Sequence, residues 1–344
     1  MRESALARMR APGRSCRCVP PNLTPIPDPS RILLVSLDNL GDLVFASALT
    51  PPLRERFPRA EIGVLCKRYA AEIAPLIPGV SRVFAADPFW DRAPGRGKGG
   101  LLPFVGVLRE IRRAKYDVAI LAAAPWRTAA AMALTGIPVR IGLERRRSAR
   151  WLTHVLAPED IRRPVLAEEA RLLEPLGIRA SGLRYRLDGT GLGVRISGNA
   201  VRTAALHPFA SKRNRCVPLV EWIQVARSLD ADGWSVLWIG SAAEMDEVRA
   251  AVGESGRFVD REFGLSLLDT ARALASAGLF VGHDSGPLHV AGALGVPVVG
   301  IFAPGEPLRT FPQGVGSSRM ISRAGPLEIS AAEILGAVGE LLSS

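Results

Sequence analysis

Asp284-Ser285-Gly286-Pro287-Leu288-His289 gathers an acid, a hydroxyl and an imidazole into six residues just after the apolar run Leu279 to Val281. Ser285 is a helix-capping residue type, and Pro287 falls in the first helical turn, where a missing N–H is tolerated. The backbone donors of Gly286 and its neighbours, together with the helix dipole, then form an anion site suited to a diphosphate. Asp284 and His289 flank it. Read singly, Asp284 is a turn residue and His289 a helix-surface histidine; side by side they point to a site. Glu244 follows another apolar run, at Ser235 to Ile239, and opens a helix. Its carboxylate suits ribose hydroxyls, or else complements a helix dipole.

These residues need a scaffold that brings strand ends together. Arg31 to Leu37 is apolar on both faces and runs into Asp38-Asn39-Leu40-Gly41-Asp42 and a helical stretch to about Arg56, the start of a parallel α/β sheet. Further strands are predicted at Glu61 to Leu65, Arg82 to Ala85, Asp117 to Leu121 and Val139 to Ile141, with helices at Leu101 to Ala114 and Trp126 to Leu134. The second half repeats the rhythm with strands at Ala204 to His207, Ser235 to Ile239, Leu279 to Val281 and Val298 to Phe302. Its helices are expected at Leu219 to Leu229, Ala243 to Val252, Ser266 to Ser276 and Gly286 to Leu294. Residues 1–30 read as a flexible arm, 31–190 as one α/β domain, and 200–344 as a second. The glycine-rich stretch Gly189 to Gly198 would link them, and Pro88 to Gly100 reads as a surface loop. Two doubly wound, Rossmann-like domains facing each other across a cleft make a GT-B-like architecture.

With both ends in view, the sequence resembles glycosyltransferase family nine, the ADP-heptose:lipopolysaccharide heptosyltransferases. Asp284 to His289 with Ala291, Ala293 and Gly295-Val296-Pro297 is similar to its C-terminal signature. Leu37 to Asp42 with Leu53-Arg-Glu-Arg-Phe-Pro58 is similar to its N-terminal one. His207-Pro208 with its basic cluster, and Ile239-Gly240-Ser241 followed by Glu244, extend the likeness from about Arg31 to the C-terminus. The resemblance implies an inverting transferase in which Asp42 takes the proton of the acceptor hydroxyl, with Asn39 beside the acceptor. Lys212, Arg213 or Arg215, with Ser285, Gly286 and His289, would meet the donor diphosphate. Ser241, Glu244 and Asp284 would hold the donor's nucleotide and sugar. By itself Asp42 reads as a helix-start acid, and the three cations as a solvated loop. Arg215-Cys216-Val217-Pro218 departs from the family's basic-Trp-Pro run, which leaves open which of the three cations meets the diphosphate, while Asp38-Asn39 before Gly41 and the loop Phe89-Trp90-Asp91-Arg92 are unusual. Another donor with a non-lipopolysaccharide acceptor, or a nucleotide- or polyanion-binding protein without catalysis, therefore stand as alternatives.

Composition narrows the partners. The 344 residues exceed the size of a single growing core, and 48% hydrophobic against 22% charged residues excludes wholesale disorder. The net charge of +11 is lopsided: residues 1–200 hold 32 Lys and Arg against 18 Asp and Glu, a balance of +14, and the remainder is −3. An anionic glycolipid or oligosaccharide acceptor on the first half is expected, with Arg145, Arg146, Arg147 and Arg150 as its densest cluster. The enzyme would work in the cytoplasm, in peripheral contact with the inner membrane face. Aromatics at 6% with no basic-aromatic stripe argue against nucleic acid. The four cysteines lack zinc or disulfide spacing, which fits a reducing compartment. No secretory h-region precedes residue 30, and the longest apolar run, Val290 to Ala303, is broken by Gly292, Gly295, Pro297 and Gly300. Asp230-Ala231-Asp232 matches a metal-binding string but sits before Gly233 in an expected turn. No essential metal and no cofactor are expected.

Overall fold

The computed structural model describes residues 26–91, 99–122, 125–145, 147–158, 162–193, 202–210, 212–252, 266–304 and 307–344. Arg146, nearly all of the arm, and parts of the expected loop and linker lie outside the described residues.

The first half is a parallel sheet of six strands: β1 (Arg31–Ser36), β2 (Glu61–Cys66), β3 (Val80–Ala85), β4 (Val118–Leu121), β5 (Val139–Leu143) and β6 (His154–Leu156), in the order β3-β2-β1-β4-β5-β6. The central strands are buried on both faces, as their unbroken apolar runs require. The crossovers carry α1 (Leu40–Ala46), α2 (Thr50–Arg56), α3 (Leu101–Ala114) and α4 (Trp126–Leu134), and α5 (Val165–Ala170) follows the sheet.

The second half is a parallel sheet of five: β7 (Thr203–His207), β8 (Ser235–Trp238), β9 (Leu279–His283), β10 (Val298–Phe302) and β11 (Ser318–Ser322), ordered β11-β10-β9-β7-β8. Its helices are α6 (Leu219–Ala231), α7 (Ala242–Val252), α8 (Leu267–Ala275), α9 (Gly286–Ala293), α10 (Pro307–Thr310) and α11 (Ala331–Leu342). Asp230-Ala231-Asp232 closes α6, and Gly233 at φ +82° turns the chain toward β8, the turn its sequence indicates.

In each sheet the strand order reverses once, between β1 and β4 and between β7 and β9. A crevice opens at the carboxyl ends of strands where this happens, because the flanking helices run to opposite faces. The two halves meet through one apolar cluster that includes Leu40 and Phe45 from the first and Leu288 and Ala291 from the second. The segment before the linker is wedged between them. Arg186 N–H donates to Ser47 Oγ of the first half, and Leu187 N–H to the Ala293 carbonyl of the second.

Candidate active site

Asp42 sits at the switch point of the first sheet, third in α1. Its Oδ2 accepts the Asn39 N–H at 2.9 Å, so the helix-start role is realised and the cap itself fixes the carboxylate above β1. Burial pushes its pKa above the ordinary aspartate value. The Asn39 N–H opposes this, Asp38 adds to it, and His289 and Arg145 pull it back. A carboxylate tuned upward at a sheet's switch point is suited to accept a proton from a hydroxyl.

The second switch point supplies the other half. Ser285 precedes α9 in extended backbone (φ −156°, ψ 166°) without capping the helix through its side chain. Its Oγ instead lies 3.3 Å from His207 Nδ1, which leaves the first-turn amides of α9 for an anion. His207 is buried, and its pKa is pushed down to about 4 by that burial, against the pull of Glu244. It is a neutral hydrogen-bonding group at neutral pH. His283, at the end of β9, is likewise pushed down to about 3 by burial and by His207, and accepts the Val217 N–H at Nε2.

Two glycines let these helix starts touch. A Cβ on Gly286 would stand 2.7 Å from Leu40 Cδ2, and one on Gly41 would stand 3.2 Å from His289 Cδ2. His289 is therefore enclosed between the halves, unlike the helix-surface histidine it reads as when taken alone. Its Nδ1 lies 3.2 Å from the Tyr185 hydroxyl, its Nε2 3.6 Å from Asp284 Oδ1, and its edge packs on Phe45. Asp284 Oδ2 also accepts from Thr310 Oγ1 at 3.4 Å. The structure thus brings Asp42, Asp284, Ser285, Gly286 and His289 to one place.

The basic loop divides. Arg213 is held by Glu247 of α7, whereas neither Lys212 nor Arg215 pairs with an acid among the described residues. Glu244 Oε2 accepts both the N–H and the hydroxyl of Ser241, at 2.7 and 2.9 Å, so this pair closes the start of α7. The charge of Glu244 also pulls the His207 pKa upward, against the effect of burial.

The arginine cluster divides too. Arg147 and Arg150 are exposed, but Arg145 donates to the buried Glu168 at 3.1 Å, and Arg309 of the second half donates to the same oxygen at 3.1 Å. The adjacent Glu169 is buried and strongly biased toward its neutral form by burial, then by Asp42 and Glu168. This cluster behind Asp42 is absent from the sequence-based site. Glu168 and Glu169 lie in a short helix without motif, and Arg309 is 141 residues from its partner. Also unforeseen is a cavity of about 250 Å³ at the carboxyl ends of the first sheet, lined by Asp38, Lys67, Trp90, Asp91, Trp126 and Arg127. Lys67 is buried there against Asp91.

Among the described residues no three His, Cys, Asp or Glu side chains stand together in a way that could hold a metal ion. The family model for glycosyltransferase family 9 (heptosyltransferase) matches residues 105–328, well over half the chain. The chain belongs to glycosyltransferase family 9. It is a glycosyltransferase of GT-B architecture. It is 22% identical over 294 residues to lipopolysaccharide heptosyltransferase 3 of Escherichia coli, covering 76% of this chain and 80% of that protein. Its fold is that of E. coli heptosyltransferase WaaC with ADP (TM-score 0.78, 17% identity, 90% of this chain and 99% of that one). The E. coli ADP-heptose heptosyltransferase II structure is similar in the same way (TM-score 0.76, 20% identity, 91% and 98% covered). The alternative of a binding protein without catalysis is set aside by the family match.

Proposed function

We propose that this family 9 glycosyltransferase moves a heptose from ADP-heptose to an anionic, lipopolysaccharide-core-type acceptor with inversion at the anomeric carbon. The observation that carries the reading is the meeting of Asp42 at one switch point with the uncapped start of α9 at the other. The donor diphosphate lies at the α9 amides, with Ser285 and Gly286 against it and Lys212 and Arg215 closing over it. His289, held by Tyr185 and Asp284, braces the helix starts from behind, and Ser241 and Glu244 border the nucleotide. The acceptor sugar enters the cavity beside Asp38, where Trp90 and Trp126 offer apolar ring faces and Arg127 a cation. Asp42 takes the proton of the acceptor hydroxyl as its oxygen attacks the anomeric carbon. The bond to the diphosphate breaks and ADP leaves, its growing charge met by the two cations and the helix end.

The names of the relatives support the donor and acceptor classes, and the positive first half suits an anionic acceptor. No helix among the described residues is long and apolar enough to cross a membrane. The proposed place of action is the cytoplasmic face, reached by peripheral contact. Purified protein given ADP-heptose should release ADP only when a phosphorylated lipopolysaccharide-core acceptor is also present. Release from a different nucleotide sugar but not from ADP-heptose would instead favour the alternative donor.

A further inference from the structure

The outer face of α3 does not match that of a helix meant only for water. Phe104, Ile111 and Ala114 are buried against the sheet, while Leu101 and Leu102 are 54% and 82% exposed at its first turn. At 100° per residue, Arg109, Arg112 and Arg113 share that outward face, all exposed, with Glu110 as the acid beside them. Phe104 ties this turn to the cavity. Its ring packs 6.2 Å from Phe89 and 5.0 Å from Trp90, and Trp90 lines the cavity together with Trp126. Phe89 and Trp126 are themselves 49% and 42% exposed, and Arg127 stacks on Trp126 at 4.9 Å. Single exposed apolar residues are ordinary, but a group around one cavity mouth with cations beside it marks a surface for a partner.

We propose that this rim is a membrane-docking face, with Leu101, Leu102 and Phe89 entering the interface of an anionic bilayer and Arg109, Arg112 and Arg113 meeting its headgroups. The inference rests on the reading that the acceptor is lipid-linked. An acceptor whose sugar occupies the cavity then has its lipid at the mouth, where the apolar rim begins. Apolar side chains at one end and arginines along the same face are the pattern by which a helix lies on an anionic membrane. The +14 balance of residues 1–200 supplies the long-range attraction.

Vesicle co-sedimentation with the full chain tests this. The parent should bind mixed phosphatidylethanolamine and phosphatidylglycerol vesicles more strongly than phosphatidylcholine vesicles. Leu101→Ser with Leu102→Ser should weaken the former about tenfold or more. Leu327→Ser, a control at an 83% exposed leucine of the second half, should leave binding unchanged. The double variant should lose activity on lipid-linked acceptor in vesicles but keep that on a delipidated core oligosaccharide, which also shows that it is folded. Unchanged vesicle binding in the double variant, or an equal loss in the Leu327 control, would overturn the docking face. Failure of the parent to use either acceptor would overturn the acceptor reading instead, and the vesicle result alone would then decide the membrane contact.

Discussion

Asp42→Asn should fold as the parent does and bind donor with unchanged affinity, yet turn over roughly a hundredfold more slowly or worse, the usual contribution of a general base. Asparagine keeps an oxygen to accept the Asn39 N–H, so the cap at the start of α1 survives while proton acceptance is lost. The pH profile adds a second signature. Asp42 must be ionised to act, so turnover falls as the pH drops through its pKa. Because burial raises that pKa, the acidic limb should lie above the ordinary aspartate value of about 4 and disappear in the variant. Arg145→Met should move the limb further up, since Arg145 favours the ionised carboxylate. Undiminished turnover in Asp42→Asn would leave Asp42 as a capping residue only.

Replacing Lys212 and Arg215 together with Ala should weaken donor binding and slow the chemical step at once. On the proposed reading the diphosphate is already anionic when bound and gains charge as it departs, so cations set against it would act in both states, more strongly in the second. Single donors to a developing anion contribute roughly a hundredfold in enclosed sites. Both side chains here reach from a loop, so a combined loss of about that size in kcat is expected. Arg213→Ala should do far less, because that guanidinium is already held by Glu247. A change confined to acceptor saturation would put this loop on the acceptor side and exchange the roles of the two halves.

Much of this layout is legible before any coordinates. The apolar runs of the two central sheets are unambiguous because parallel strands buried on both faces carry no polar interruptions, and the bounds of α3, α4 and β10 fall where the periodicity puts them. Edge elements are harder to read. The three residues of β6 and Ser318–Ser322 of β11, with a single buried side chain at Ile321, bury too little to stand out. The site splits along the same line. Asp42 announces itself because cap chemistry has a local signature, and Ser285 and Gly286 because a cap-type residue and glycine mark a helix start, although the Ser285 hydroxyl turns to His207 and not to the helix. Glu168 and Glu169 do not, since an acidic pair in a short helix reads as a solvated face until Arg145 and Arg309 arrive from distant segments. Arg145 looked like part of a surface run for the same reason: charge counts along a chain carry no direction. That His289 faces inward depends on Gly41, a residue at the far end of the sequence.

The proposed transfer is a single displacement assisted by Asp42, and the anomeric configuration of the product tests it. Protein incubated with ADP-heptose and a core oligosaccharide should yield a glycoside whose configuration, read by nuclear magnetic resonance, is opposite to that of the donor. One attack from the face opposite the departing diphosphate permits no other outcome. A product with the donor's configuration retained would require a second displacement or a same-face route, and would rule out a single inverting displacement.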